Sequence, residues 1–190
     1  MNECESCTVR ETRISMYHIV KPEDCSRGIL RAGPLLKWMD ICACLSAERL
    51  SRSSSVTLSM DNLTFQSESH EGDAVCVMAQ TTRAFNSSVE ILVVVTSEET
   101  GSVICSAFFV FVSFRDGKKV TLPATVPETE LEQLNYLSAS DRRSARMNAK
   151  ELLKEAQESV QDDTDDPLSN NSSFSVRATI STVRISLQKF

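Results

Sequence analysis

The stretch Gly33-Pro34-Leu35-Leu36-Lys37-Trp38-Met39-Asp40-Ile41-Cys42-Ala43-Cys44-Leu45-Ser46-Ala47-Glu48-Arg49-Leu50 decides the fold of this chain. Proline fits the first helical position, where the N–H lacks an intrahelical acceptor in any case, so Gly33-Pro34 opens a helix that runs to Leu50. Apolar residues cover most of its surface, with polar edges at Lys37, Glu48 and Arg49. Such a helix is wrapped by other structure rather than laid on it. Asp40 stands between Met39 and Ile41, about two turns past Gly33. An acid there is either solvated at a lip or kept for chemistry.

Strand textures surround the helix. Arg13 to Val20 forms a first strand, followed by a turn at Lys21-Pro22-Glu23-Asp24 and a loop from Gly28 to Pro34. Past the helix, Val56 to Met60 alternates and Leu63-Thr64-Phe65 continues the pattern. Two further strands, Ala74–Arg83 and Val89–Ser97, flank the polar interruption Asn86-Ser87-Ser88. Val103 to Phe114 is so apolar that both of its faces are expected to be buried. One early helix and four or five antiparallel strands make an α+β domain with the helix on a curled sheet.

Composition narrows the function. The chain has 190 residues, 41% of them hydrophobic, enough for one domain with an appendage. No run approaches the ~20 apolar residues of a membrane span, and Met1-Asn2-Glu3-Cys4-Glu5 is unlike a secretory signal. A net charge of −6 argues against a nucleic-acid partner. Cys4 and Cys7 have CxxC spacing without a second pair, and are read as tail residues against a metal or redox alternative. Cys42, Cys44, Cys76 and Cys105 lie in apolar elements as small core residues, a usage that suits a reducing, cytoplasmic location. There is no GxSxG elbow for a serine hydrolase and no glycine-rich phosphate loop, and His18 and His70 are isolated.

After Val120 the texture changes. Pro123, Pro127 and an acidic run lead into a helix-prone segment from Leu131 to Val160. The organisation expected is a disordered tail over 1–12, the α+β domain over 13–120, a linker with a basic helix over 121–160, an acidic disordered linker over 161–175, and a last strand over 176–190 that begins something further.

Five blocks in order, RGILRAGPLLKWMDICACLSAERL, SVTLSMDNLTF, EGDAV, RAFNSSVEI and SAFFVFVSF, resemble the first hotdog domain of the cytosolic acyl-CoA thioesterases. The similarity is to the branch with two hotdog domains and a lipid-binding START domain, which includes a brown-fat-inducible, acetyl-CoA-hydrolysing member. ASDRRSARMNAKELLKEA resembles the linker helix that follows that domain, and VRATISTVRISL stands where the first strand of a second hotdog domain begins. The resemblance implies a hotdog fold, a long helix wrapped by an antiparallel sheet, and a short form or fragment with one hotdog unit plus linker.

Thioester hydrolysis needs an activated water and a place for the oxyanion. Backbone N–H groups at a helix start can supply the second, so Gly33 is the candidate oxyanion residue. Asp40 is the candidate general base, and the resemblance implies the same role; the alternative is an acid hydrogen-bonded at a seam between subunits. Leu58, Ser59 and Met60, with Asn86, Ser87 and Ser88, are implied as contacts to the pantetheine of coenzyme A, although Asn and Ser also favour a plain turn. Arg142, Arg143 and Arg146 are either a solvated helix face or a site for the coenzyme A phosphates. Relatives pair the acid with an asparagine in a GNxxGG loop; in Gly28-Ile29-Leu30-Arg31-Ala32-Gly33, Ile29 holds that place. The expectation is an acyl-CoA thioesterase acting on fatty acyl-CoA or acetyl-CoA, without metal or cofactor, as a homo-oligomer or paired with a second hotdog unit. The alternative is a catalytically silent acyl-CoA-binding or dimerisation half-domain.

Overall fold

The computed structural model describes residues 6–162. It opens with β1 (Ser6–Thr8) and a single helical turn, α1 (Val9–Thr12). Residues 6–12, expected within the tail, are therefore ordered. Thr8 caps α1 in a reciprocal box with Glu11, and Val9 and Thr12 are buried. β2 (Ile14–Ile19) follows, then a 3-10 turn (Pro22–Asp24). The loop expected from Gly28 contains instead half of a tight hairpin, β3 (Cys25–Ser26) with β4 (Ile29–Leu30). Arg27 and Gly28 make its turn at φ 54° and 79°, the left-handed region that glycine tolerates best.

The long helix, α2, spans Ala32–Ser51. It starts two residues before Pro34, which becomes the third helical residue; all of the first helical N–H groups lack intrahelical acceptors, so proline fits there too. The strands β5 (Ser54–Phe65), β6 (Ala74–Ala84), β7 (Ser88–Ser97) and β8 (Val103–Arg115) fall where the sequence texture puts them. Short β9 (Lys118–Lys119) returns on β8, and β10 (Ala124–Val126) pairs with β1 in parallel. α3 (Glu130–Asp162) ends the described chain. The expected segments 161–175, beyond Asp162, and 176–190 lie outside the described residues.

The main sheet has the order β2-β6-β7-β8-β5, all antiparallel, with β9 beside β8. α2 fills its concave side. Met39, Cys42, Ala43 and Ala47 are fully buried against Val77 and Ala79 of β6, and Ile91 and Val93 of β7. These positions recur at three- and four-residue spacing on the helix and two on the strands, so each element presents one face to the core. This is the hotdog fold. Phe109 to Ser113 of β8 is buried on both faces as expected, whereas Ser106 and Phe108 are half-buried. One expectation is modified: α2 is not wrapped all round. Ile41 and Leu45 are 40% and 42% exposed, and Val56 and Leu58 of the free edge β5 are 54% and 64% exposed.

Burial also fixes the chemistry of two cysteines. Desolvation pushes the Cys42 thiol up to about 11 and the Cys105 thiol up to about 12. Neither is nucleophilic near neutrality, so iodoacetamide at pH 8 is expected to leave both unlabelled in the native chain and to label both after unfolding, as read by peptide mass. Their native values exceed the usual 9.0. The stability they contribute is therefore complete below pH 9 and lost as the pH rises towards 11 to 12.

Candidate active site

Three side chains four residues apart, Asp40, Cys44 and Glu48, line the side of α2 that meets β5. Thr57 Oγ1 donates to Asp40 Oδ1 at 2.7 Å, the Cys44 thiol donates to the Ser55 carbonyl at 3.7 Å, and the Ser55 amide donates to Glu48 Oε1 at 3.1 Å. The helical period makes this alignment. Cys44 is pushed up chiefly by burial and also by the nearby charges of Glu48 and Asp40. Asp40 is half-buried, and the Thr57 hydroxyl is held on one of its two carboxylate oxygens. Thr57 is a site residue that sequence reasoning missed, because only the register of β5 shows which threonine meets the helix.

The start of α2 is bare. Arg31 is the N-cap and its side chain makes no capping bond; its guanidinium turns back to the carbonyls of Glu23 and Asp24. Among the described residues no side chain covers the N–H groups of Ala32 and Gly33. A Cβ built on Gly33 meets nothing within 4 Å, so the space in front of the helix end is open. Pro34 offers no donor. Ile29 lies in β4 opposite Ser26 and bridges to His70.

β5 carries a bulge where the sequence placed a pantetheine contact. Thr57 pairs with Phe111 and Ser59 with Val110, so Leu58 is the extra residue. In a regular strand residues 57 and 61 would share a face. The inserted residue reverses the alternation: Thr57 faces α2 beside the buried Phe111, whereas Asp61 pairs with Phe108 on the outer face. The Ser59 hydroxyl is buried without a partner among the described residues, and Met60 is 38% exposed.

The remaining expected residues lie on the outer side. Asn86 and Ser87 form the β6–β7 turn, closed by the Phe85 amide on the Ser88 carbonyl at 2.8 Å. Arg143 donates to Ser88 Oγ at 3.3 Å, and its guanidinium stacks 4.4 Å from the Phe85 ring centre. Arg142 and Arg146 are placed differently. Both turn into the sheet and donate to the fully buried Glu90, Arg142 through Nη2 at 2.7 Å and Arg146 through Nη1 at 3.0 Å. Thus Asp40 and Gly33 share the helix, Leu58 to Met60 lie on the adjoining edge, and the arginines sit across the sheet. The surface depression lined by Pro127, Glu128, Gln133 and Leu134 lies at the start of α3, away from Asp40.

Residues 28–104 match the model of the thioesterase superfamily. Acyl-coenzyme A thioesterase 11 of Mus musculus is 38% identical over 166 residues, which are 84% of this chain and 28% of that protein. The chain spans about a quarter of the length of the first mammalian relatives it matches, between 23% and 28%. The uncharacterized acyl-CoA thioester hydrolase YkhA of Bacillus subtilis is 33% identical over 156 residues, covering 79% of this chain and 91% of that protein. Among solved structures, an apo-hexameric acyl-CoA thioesterase superposes with a TM-score of 0.74 at 29% identity, over 77% of this chain and 98% of the other. With the long helix in a curled sheet, the acid on that helix and a bacterial relative matched over nearly its whole length, the chain belongs to the acyl-CoA thioester hydrolases of the thioesterase superfamily.

Proposed function

We propose that this chain is an acyl-CoA thioesterase unit in which Asp40 activates water and the start of α2 receives the oxyanion. The observation that carries this reading is the pairing of a half-buried carboxylate, oriented by Thr57 at 2.7 Å, with an uncapped helix end on the same helix. Water attacks the thioester carbonyl carbon while its proton passes to Asp40. The new charge on the carbonyl oxygen is met by the Ala32 and Gly33 amides. Collapse breaks the C–S bond, and the proton held by Asp40 goes to the leaving sulfur, giving the free acid and coenzyme A. These groups suffice for the reaction, so no metal or cofactor is proposed.

The coenzyme A moiety is assigned to the outer side. Arg143 and Ser88 would take a phosphate, and the pantetheine arm would cross the β5 edge at the Leu58 bulge, beside Ser59 and Met60. Ile41 and Leu45 of α2, and Val56 and Leu58 of the free edge β5, are exposed apolar side chains. Unpaired edges of this kind invite another sheet, so the unit is proposed to work against a second hotdog unit, from another copy or from a longer protein of the branch with tandem hotdog and START domains. Cys25, Cys42, Cys44, Cys76 and Cys105 are free thiols, in keeping with a cytoplasmic setting.

Ile29 favours a second reading, a half-site that binds acyl-CoA and hydrolyses it only with a partner unit. Thiol release from a panel of acyl-CoA esters from acetyl to palmitoyl, measured with a chromogenic disulfide, tests both. Turnover by the purified chain is the expected result. Binding without turnover would establish the half-site, and neither binding nor turnover would end the thioesterase reading.

A further inference from the structure

Glu90 is the charged group that the proposed hydrolysis leaves unused. It interrupts an apolar strand, Val89-Glu90-Ile91-Leu92-Val93, and is fully buried beneath α3. Its carboxylate accepts from Arg142 Nη2 at 2.7 Å and Nε at 3.1 Å, Arg146 Nη1 at 3.0 Å and Thr82 Oγ1 at 2.7 Å. Arg146 Nη1 also donates to Asp61 Oδ2 of β5 at 2.8 Å. The Arg142 guanidinium carbon lies over the Phe108 ring of β8, 3.9 Å from its centre. Two carboxylates therefore balance two guanidiniums, with no net positive charge left for an anionic ligand. From one helix the two arginines reach three neighbouring strands, β7, β8 and β5, and Thr82 ties the cluster to β6 as well.

We infer that this cluster is a positioning device for coenzyme A recognition: Glu90 and Asp61 clamp α3 through Arg142 and Arg146 so that Arg143 alone is presented to the phosphates. The inference rests on the acyl-CoA reading above and divides the arginine group within it. Residues 142 and 146 are one turn apart and point into the sheet, whereas 143 is turned about 100° from 142. Arg143 accordingly stands at the rim, over Phe85 and against Ser88 Oγ. Of its five N–H donors, one is used on Ser88, so the planar fork keeps donors for a diphosphate or 3′-phosphate. Glu90 and Asp61 touch no substrate; they act through the helix they hold. Asp61 also anchors β5 just beyond the Leu58 bulge.

The test compares Glu90→Gln and Asp61→Asn with the unaltered full chain, on an acyl-CoA and on the matching acyl-pantetheine, which lacks the phosphorylated adenosine. The expected result is a KM for acyl-CoA raised about threefold to tenfold, with kcat unchanged and KM for acyl-pantetheine unchanged. If Arg142 and Arg146 themselves took the phosphates, removing a competing carboxylate would free them and lower KM. A lowered or unchanged KM overturns the inference, and so does an equal rise for both substrates, which marks general damage. Should Glu90→Gln fail to fold, Asp61→Asn carries the test, because it keeps every Glu90 pair. If the unaltered chain shows no turnover, hydrolysis fails as a reading of its own, and calorimetry with coenzyme A and pantetheine replaces KM. Weaker coenzyme A binding by the variants then supports the clamp, and equal or tighter binding overturns it, as does an unaltered chain that binds no coenzyme A.

Discussion

Asp40→Asn is expected to lower kcat for acyl-CoA hydrolysis by about 10²–10⁴-fold, the usual worth of a positioned general base, while leaving KM nearly unchanged. Asparagine keeps the size of the side chain and an oxygen to accept the Thr57 hydroxyl at its present 2.7 Å distance, so the fold is retained and only proton acceptance is lost. Thr57→Ala is expected to cost less, about 10–100-fold, because it removes one hydrogen bond to a charged group. A competing role for Asp40 is that of a tether, the first rung in the series Asp40, Cys44 and Glu48 that joins α2 to β5. The two roles separate cleanly. A tether predicts that Asp40→Asn, which keeps the Thr57 bond, preserves both activity and Tm, whereas a base predicts that activity falls with Tm unchanged. Steady-state thiol release and a thermal melt on the same samples decide between them.

Glu90→Ala is expected to destabilise the chain by about 3–5 kcal/mol in urea unfolding. Glu90 is fully buried, and Arg142 and Arg146 are themselves only 14% and 15% exposed. Deleting the carboxylate leaves two guanidiniums out of water, Arg146 with Asp61 as its remaining carboxylate partner and Arg142 with none. That loss does not measure what the cluster adds to stability, because desolvation of three ions offsets most of the attraction. Replacing Glu90, Arg142 and Arg146 together by apolar residues of similar volume should recover most of the stability. An exposed, screened pair would instead give under about 1 kcal/mol for Glu90→Ala, which would contradict the burial on which the account rests.

Sequence texture carried most of the fold and less of the site. β6, β7 and β8 are legible because β-branched runs between turn signals have few alternatives to a buried strand. α2 is legible from its apolar run, but its first turn is not, since Pro34 suits any of the early helical positions. The order in residues 6–12 has a short sequence signal in Thr8-x-x-Glu11, a capping-box spacing set within an otherwise polar tail. Within the site, Asp40 stands out as a lone acid in an apolar helix, whereas Thr57 is invisible without the strand register. The arginine group shows the same limit. Arg142, Arg143 and Arg146 look alike in sequence, and their division follows from Glu90, a single acid in an apolar strand that must find partners once buried.

The position of the thioester decides whether Asp40 and the start of α2 act on it together. A crystal structure of Asp40→Asn with an intact acyl-CoA tests it in one measurement. The predicted result places the thioester carbonyl oxygen about 2.7–3.1 Å from the Ala32 or Gly33 amide, with a water between residue 40 and the carbonyl carbon and the phosphates against Arg143. A thioester bound away from the start of α2, with no path for water from residue 40, would contradict it.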